Sequence, residues 1–324
     1  MSITAGIKHA ALHYLSRRKT GHILLYHSCY EETPADLNFK LHNVRPSVMY
    51  TQLSWYKKHY QIVSLEEWFE AKKKKGLVAV TFDDAYLSVF NEGLPVLESL
   101  EIPATVFVIG GTLEGKIFWR DKIRFLKQKG RLDSLVRFLN REVNAGFTAS
   151  TFYKESKSGE ALSMQKLNQL IDRFIKMENL EQAIVPHCAH QPEQLIDHPL
   201  LSYGYHTYSH FRLSSLSDSD QREDLTKGYR ALNRLESRPV IPYYSIPFGG
   251  HDSYNTSTMD ILNTLSMKGV LLNNNKLNGY THLPRYKNLF IAERYMMPDT
   301  LDELIGKVHT LAYNHFVRPK KEST

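Results

Sequence analysis

The fold of this chain is decided by VAVTFDDAY, the sequence of residues 78–86. Its first five residues are apolar or β-branched without a break, which predicts a strand buried on both faces, as in a parallel sheet. Two adjacent acids, Asp83 and Asp84, follow where such a strand ends. One of them can simply cap the helix that we predict to begin near Tyr86. Alternatively a cation lies beside the pair, because like charges this close would otherwise raise one pKa strongly.

A second stretch, HTYSH at residues 206–210, favours the cation. An extended strand would separate His206 and His210 by about 13 Å, at ~3.3 Å per residue, so the two imidazoles can share a site only where a strand gives way to a turn. Two His and one Asp, with a position left open, form a catalytic divalent-metal site. A packed or surface helical turn has the same spacing. The histidine pair therefore indicates a metal site only in combination with the paired acids.

Strands and helices alternate on both sides of these stretches. We predict strands at 21–27, 78–82, 104–110, 241–246 and 269–272, and helices at 47–59, 65–75, 87–100, 217–235 and 299–316. This alternation predicts an α/β fold with a parallel sheet. Residues 111–203 contain no strand of matching quality but three helical segments, at 119–129, 132–143 and 162–177, and therefore read as a helical insertion.

Composition excludes several classes of protein. With 324 residues and 42% hydrophobic content, the chain can bury a large core, and it lacks the ~18–20 consecutive apolar residues of a membrane span. Two cysteines make no disulfide framework. The net charge of +7 suits an acidic glycan or an anionic membrane face, but it is spread along the chain without a nucleic-acid-binding motif.

Residues 1–19 predict an N-terminal amphipathic helix rather than a secretory signal, because Lys8 and His9 interrupt its apolar residues. We therefore expect a cytoplasmic protein. The helix has two interpretations, packing against the domain or lying on the inner face of the membrane through residues 3–19. Residues 318–324 are expected to form a basic tail.

Three segments together resemble the polysaccharide deacetylases, the NodB-like enzymes of carbohydrate esterase family 4. They are TFDDAY at 81–86, HTxxH at 206–210 and SIPFG at 245–249, and the resemblance extends over residues 23–285. It implies a distorted (β/α)7 barrel as a single domain over residues 20–317, interrupted by the helical insertion at 111–203.

The resemblance also implies catalytic roles. Asp83 would be the general base, while Asp84, His206 and His210 would hold a divalent metal, most simply Zn²⁺. His27, which follows the first strand, resembles the histidine that faces the active site in this group and becomes a candidate proton donor. Without the resemblance, a histidine at a strand end is more often a structural residue.

Substrate contacts are predicted from several segments. The backbone N–H of Tyr86 would stabilise the oxyanion, and Pro247, Phe248 and Gly249 would line the substrate site. Trp119 either lines a sugar cleft or belongs to the core beside a surface ion pair, and the sequence leaves both open.

The chain departs from the family pattern at Ser245, where the family usually has an arginine that orients the catalytic Asp. The late Asp and His-Asp motifs of the secreted chitin and peptidoglycan enzymes have no match either. Arg285, in a Leu-Pro-Arg also found in short relatives, is predicted to supply the missing guanidinium. His27 or His282 would supply the missing acid.

The sequence therefore predicts a metal-dependent hydrolase that removes N-acetyl groups from amino sugars of a bacterial surface polysaccharide or its lipid-linked precursor. A deformylase or another amidohydrolase on the same scaffold is an alternative. A non-catalytic carbohydrate-binding relative is a second alternative, although a binding module has no use for the base Asp83.

Overall fold

The computed structural model describes residues 3–235 and 238–317, with side chains from residue 11 onwards. The predicted basic tail at 318–324 lies outside the described residues. The helices are α1 Ile3–Lys19, α2 Pro46–His59, α3 Leu65–Glu70, α4 Leu94–Leu100, α5 Trp119–Gln128, α6 Leu132–Val143, α7 Phe152–Glu155, α8 Met164–Met177, α9 Asp218–Asn233, α10 Thr256–Thr264 and α11 Leu301–Phe316. The strands are β1 Thr20–Tyr26, β2 Gln61–Ile62, β3 Leu77–Phe82, β4 Ala104–Val108, β5 Leu201–Tyr205, β6 Val240–Ser245, β7 Gly269–Leu272, β8 Asn278–Gly279, β9 Arg285–Tyr286, β10 Leu289–Glu293 and β11 Tyr295–Met296.

Seven parallel strand positions form a curled sheet that closes into a barrel. The first six follow the order β1, β3, β4, β5, β6, β7. The seventh is shared between two short strands, because β10 pairs with β7 and β11, one residue further along the chain, pairs with β1. Arg294 is the residue between them. The predicted α/β class and the distorted (β/α)7 barrel are thereby confirmed.

The sequence prediction missed this closing strand and misplaced some boundaries. Helix α3 ends at Glu70, since the ψ of Ala71, 126°, is no longer helical. The predicted helix at 87–100 is a π-helical turn, Val89–Gly93, followed by α4.

The barrel interior is apolar at one end and polar at the other. Aromatic rings of α3 close the amino-terminal end of the strands, where a Cβ at Gly21 or Gly269 would come within 2.9 Å of Trp68 or Phe69. Above them lies an apolar layer that includes Ala79, Phe107 and Ala292. Successive inward positions are two residues apart on a strand. Further along the same strands, the side chains at the inward positions are polar. They lie at the carboxyl end of the strands, where α/β barrels place their active sites.

The insertion lies between β4 and β5 and has its own buried residues on α5, α6 and α8, which join the main hydrophobic core. Helix α1 contacts α11 and β1. Over residues 3–235 and 238–317, no helix is both long and apolar enough to cross a bilayer.

Candidate metal and active site

A left-handed turn at the end of β3 places the paired acids. Asp83 still follows the strand, with its N–H donating to the carbonyl of Tyr26 at 3.0 Å. Asp84 and Ala85 have φ of 71° and 54°, which turns the chain sharply. Both carboxylates are buried, with Asp83 3% and Asp84 5% exposed. Non-glycine residues in this conformation concentrate at functional sites.

A second turn, at the end of β5, brings the two histidines together as predicted. Thr207 and His210 also have positive φ, 63° and 55°. The N–H of His210 donates to Thr207 Oγ1 at 2.7 Å, and Asp224 of α9 accepts from the N–H of Tyr208 at 3.2 Å. The ring centroids of His206 and His210 are 4.7 Å apart.

These two turns converge on one point. The Nε2 atoms of His206 and His210 each lie 3.3 Å from Asp84 Oδ1. The three ligand atoms are within 4.8 Å of one another, and all three residues are buried.

The hydrogen-bonding pattern calls for a cation at this point. Nδ1 of His206 lies 2.8 Å from the carbonyl of Ser245 and must therefore carry the proton. In the neutral imidazole, the lone pair of Nε2 then faces Asp84 Oδ1, which is buried and has no hydrogen-bond donor. Burial lowers the pKa of His206, but Asp83 and Asp84 outweigh it and raise this pKa, so the carboxylates favour a positive charge here, either a proton or a metal ion. Burial also lowers the pKa of His210 to about 3, so this imidazole is neutral at pH 7, as a metal ligand must be. The set of two imidazoles and one carboxylate fits Zn²⁺.

Arg294 orients Asp83. Its Nη1 and Nη2 donate to the two oxygens of Asp83, each at 2.8 Å, in a bidentate pair. Ser245 completes the group, because its hydroxyl accepts from Arg294 Nη2 at 2.6 Å and donates to Asp83 Oδ2 at 3.0 Å. Burial raises the pKa of Asp83, but the guanidinium and the nearby imidazoles outweigh it and hold this pKa below its usual range. Asp83 is therefore ionised and able to accept a proton.

The prediction that Arg285 supplies this guanidinium is wrong. Arg285 is exposed and stacks on Phe290 at 3.8 Å from the ring centroid. Its strand β9 pairs with the first residues of β10, at the opposite end of the barrel from Asp83. Arg294 instead leaves the carboxyl end of β10, two residues beyond the inward-facing Ala292. A small side chain at Ser245 leaves room for this guanidinium, whereas an arginine there would compete for the same volume.

His27 lies at the end of β1 and pairs with another histidine that sequence reasoning missed. Nδ1 of His27 is 3.1 Å from Nδ1 of His42, and Nε2 of His42 is 2.7 Å from the carbonyl of Met297. Because a carbonyl only accepts, His42 Nε2 carries a proton, and Nδ1 of the neutral His42 accepts the proton of His27 Nδ1. Nε2 of His27 remains for other partners. Burial lowers the pKa of His27 despite the opposing charges of Asp84 and Asp83.

The backbone of Tyr86 is also placed by pairing with the insertion. Tyr86 faces Cys188 in an antiparallel bridge whose hydrogen bonds run from Leu87 N to His187 O and from Ala189 N to Ala85 O. In such a pair, the N–H of the central residue points away from its partner. The Tyr86 N–H is thus available to another acceptor.

The side chain of Tyr86 is buried rather than open to a ligand. Its hydroxyl donates to Asp121 Oδ1 at 2.9 Å, and Arg124 donates to the same carboxylate oxygen at 2.5 Å. These buried hydrogen bonds to Asp121 hold the Tyr86 ring in place.

Trp119 belongs to the core. It is 3% exposed, and its indole N–H donates to the carbonyl of His210 at 3.1 Å. Of its two interpretations, the structural one accounts for these contacts, because the indole supports the metal-site turn from the insertion side.

The loop after β6 reaches the same turn. Phe248 has a φ of 64°, and its ring stands edge-on to that of His210 at 5.0 Å. At Gly249, with a φ of 67°, a Cβ would meet the backbone N of Asn273 at 2.5 Å, so only glycine fits. Pro247 precedes them in the loop and carries the chain away from Ser245.

Comparison with family models and with solved structures gives matches for this chain. Residues 70–148 match the model of the family Polysaccharide deacetylase. Comparison with the curated proteins finds no match.

Among solved structures, the Streptococcus pyogenes deacetylase PplD in complex with acetate is 18% identical, with a TM-score of 0.53, over 90% of this chain and 99% of that one. IcaB from Ammonifex degensii is 16% identical, with a TM-score of 0.52, over 91% and 98%. A de-N-acetylase from Aggregatibacter actinomycetemcomitans is 14% identical, with a TM-score of 0.51, over 88% and 98%. Residues 70–148 are therefore similar to the polysaccharide deacetylase family, and the solved structures share the fold of the chain.

Proposed function

We propose that this protein is a metal-dependent hydrolase that removes N-acetyl groups from the amino sugars of a bacterial surface polysaccharide or its lipid-linked precursor, in the cytoplasm or at the inner membrane face. One observation carries the proposal. An ionised, buried Asp83 lies beside three converging ligand atoms, with its Oδ2 only 3.9 Å from Nε2 of His206. A base next to a cation site is the arrangement that amide hydrolysis requires.

Asp84, His206 and His210 would hold the metal, most simply Zn²⁺. When bound, such an ion supplies Lewis acidity that polarises a carbonyl and lowers the pKa of water. Asp83 then accepts the proton of the water that attacks the acetamide carbonyl. Arg294 keeps this carboxylate ionised and fixes its two oxygens. The Tyr86 N–H donates to the oxyanion that forms on the carbonyl oxygen.

His27 would act as the acid. Its Nδ1–H is committed to His42, so a proton held on Nε2 is the one that can pass to the departing amine. Cleavage of the C–N bond then releases acetate and a free amino sugar. The negative charges of Asp84 and Asp83 favour the protonated form of His27 against the effect of burial, and the bond to His42 fixes which nitrogen carries the transferable proton.

The test is acetate release from N-acetylglucosamine oligomers and lipid-linked precursors, with and without chelator, by wild type and Asp83→Asn. The amide keeps the size of the side chain but cannot accept the proton, so we expect the bound metal to be retained and the rate to fall roughly 10²–10⁴-fold. Asp133→Asn, an exposed change on α6, is the matched control. Near-normal turnover by Asp83→Asn would refute the assignment.

Two alternatives can be separated in the same assay. A deformylase would release formate instead of acetate, and measuring both acids distinguishes them. Ser245 in place of the family arginine would favour a non-catalytic carbohydrate-binding relative, but Arg294 makes the bidentate bond to Asp83 that this arginine would make. A binding module would also gain nothing from a buried, ionised base.

A further inference from the structure

Arg120, at the start of α5, is a buried cation without an acidic partner. It is 7% exposed, and its Nη1 donates to the carbonyl of Tyr153 at 2.8 Å and to Ser156 Oγ at 3.2 Å. Its guanidinium carbon lies 3.6 Å from the centroid of the Tyr153 ring. Within residues 3–235 and 238–317, no carboxylate oxygen lies within 4.0 Å of this guanidinium. Arg120 thereby fixes the segment just before Lys157.

Lys157 is a second cation without an ion pair among the described residues, and it is close to the metal site. Its Nζ lies 5.5 Å from the centroid of the Phe248 ring, and that ring is 5.0 Å from the ring of His210. Only one aromatic ring thus separates the ammonium group from a metal ligand. Burial lowers the pKa of Lys157, the positive charges of Arg120 and Arg212 add to this effect, and the charge of Asp252, which pairs with Arg212, opposes it.

The neighbouring cations differ from these two. Arg124 pairs with Asp121 at 2.5 Å, and Arg212 pairs with Asp252 at 3.0 Å. Arg120 and Lys157, which we call the cation pair, have no such partner. Burying a charge is costly unless an opposite charge or a strong hydrogen-bond acceptor compensates it.

The metal site does not supply the missing negative charge. The charge of Asp83 is already balanced by Arg294, and a divalent ion would more than balance Asp84. Arg120 has hydrogen-bond acceptors in Tyr153 and Ser156, but a neutral glycan on Phe248 would bring no negative charge to Lys157. Lysine and arginine are the residues that bind carboxylate and phosphate groups.

We propose that the substrate is an acidic glycan, and that the cation pair binds a carboxylate or phosphate group next to the acetamido sugar. Lys157 makes the contact, while Arg120 positions it and adds to the positive potential. The inference rests on the proposed function, because it takes the Phe248 loop to be the place where the sugar lies.

Calorimetric titration of the zinc-loaded Asp83→Asn protein, which should bind without turnover, tests this. Two matched pairs of ligands differ in charge. One compares a chitin tetrasaccharide with a tetrasaccharide of alternating glucuronate and N-acetylglucosamine, and the other compares N-acetylglucosamine with its 1-phosphate. We expect the acidic member of at least one pair to bind about tenfold more tightly. Adding Lys157→Gln should remove the preference, while Lys154→Gln, an exposed lysine on the neighbouring helix α7, should keep it.

The ligand pair whose acidic member binds more tightly shows whether the site takes a carboxylate or a phosphate. Equal affinity within both pairs, or a preference that survives Lys157→Gln, overturns the inference. Acetate release by the wild-type protein separates this outcome from failure of the proposed function. Selective binding without any acetate release would refute the hydrolase and keep the anion site. Acetate release with no charge preference in binding would refute the anion site alone.

Discussion

Replacing Arg294 by Met should convert Asp83 from a base into a neutral acid. The Arg294 side chain is fully buried and makes both of its 2.8 Å bonds to the buried carboxylate of Asp83. Removing one partner of a buried ion pair costs about 3–5 kcal/mol if the other stays charged. Protonation of Asp83 avoids part of this cost, so its pKa should rise, the direction in which burial already acts.

The contribution of Asp83 to the pH dependence of stability should therefore change sign. In the wild type, the pKa of Asp83 is lower in the folded protein than in the unfolded chain, so this group stabilises the fold above its unfolded pKa and the contribution is lost as the pH falls. In Arg294→Met, the folded pKa is the higher one. In the variant, the contribution of Asp83 to stability should accordingly be present below its unfolded pKa and be lost as the pH rises, so the difference in stability between wild type and variant should grow with pH.

The pH dependence of catalysis should show the same rise in the pKa of Asp83. A protonated Asp83 cannot accept a proton, so kcat/KM at pH 7 should fall by roughly 10²–10⁴-fold, and the acidic limb of the pH–rate profile should move to higher pH. Arg285→Met is the control, since Arg285 is exposed and stacks only on Phe290. We expect that change to alter stability by no more than ~0.5 kcal/mol and to leave the profile unchanged.

The assays are denaturant unfolding at several pH values and the pH dependence of acetate release for both variants. A purely structural role for Arg294 would lower stability without moving the acidic limb. An unshifted limb in Arg294→Met, or a large rate loss in Arg285→Met, would refute the reasoning.

Three further predictions concern the groups around the metal site. His206→Ala should abolish stoichiometric metal binding by elemental analysis, and unchanged metal content would contradict the ligand assignment. His42→Phe removes the acceptor that fixes the His27 tautomer, so kcat should fall about tenfold or more with KM little changed. A wild-type kcat would argue against His27 as the acid oriented by His42. Trp119→Phe keeps the ring but loses the N–H bond to the carbonyl of His210, and should weaken metal affinity about 10–100-fold in competition with a chelator.

The metal cluster could be predicted from sequence because its signals are local. The strand ending at Phe82 and the turn at His206 are each visible in a short window. Parallel strands bring their carboxyl ends to one edge of the sheet, so two such windows suffice to place the ligands together.

Arg294 could not be found in the same way, because its position depends on the closure of the barrel. Strand β10 pairs with β7, and β11 pairs with β1 more than 260 residues earlier in the chain, as in the register of Leu24 with Tyr295. The Leu-Pro-Arg around Arg285 was a misleading local signal, since it belongs to an edge hairpin. One signal was available, the apolar run at 289–292 followed by an arginine in phase with Ala292. His42 had none, because it lies in a loop fixed by the bridge between Ser28 and Asn43.

The closing strand links the stability of the barrel to its chemistry. The same short segment joins β7 to β1 and delivers a guanidinium to Asp83 inside the barrel. Closure alone does not need a charge there, because apolar residues of similar volume stabilise a buried site as well as or better than an ion pair. What the pair provides, and an apolar core cannot, is a carboxylate that stays ionised without contact with bulk water. An ionised carboxylate next to three converging metal-ligand atoms is of use to a proton-transfer reaction, and this is the physical reason to favour catalysis over binding alone.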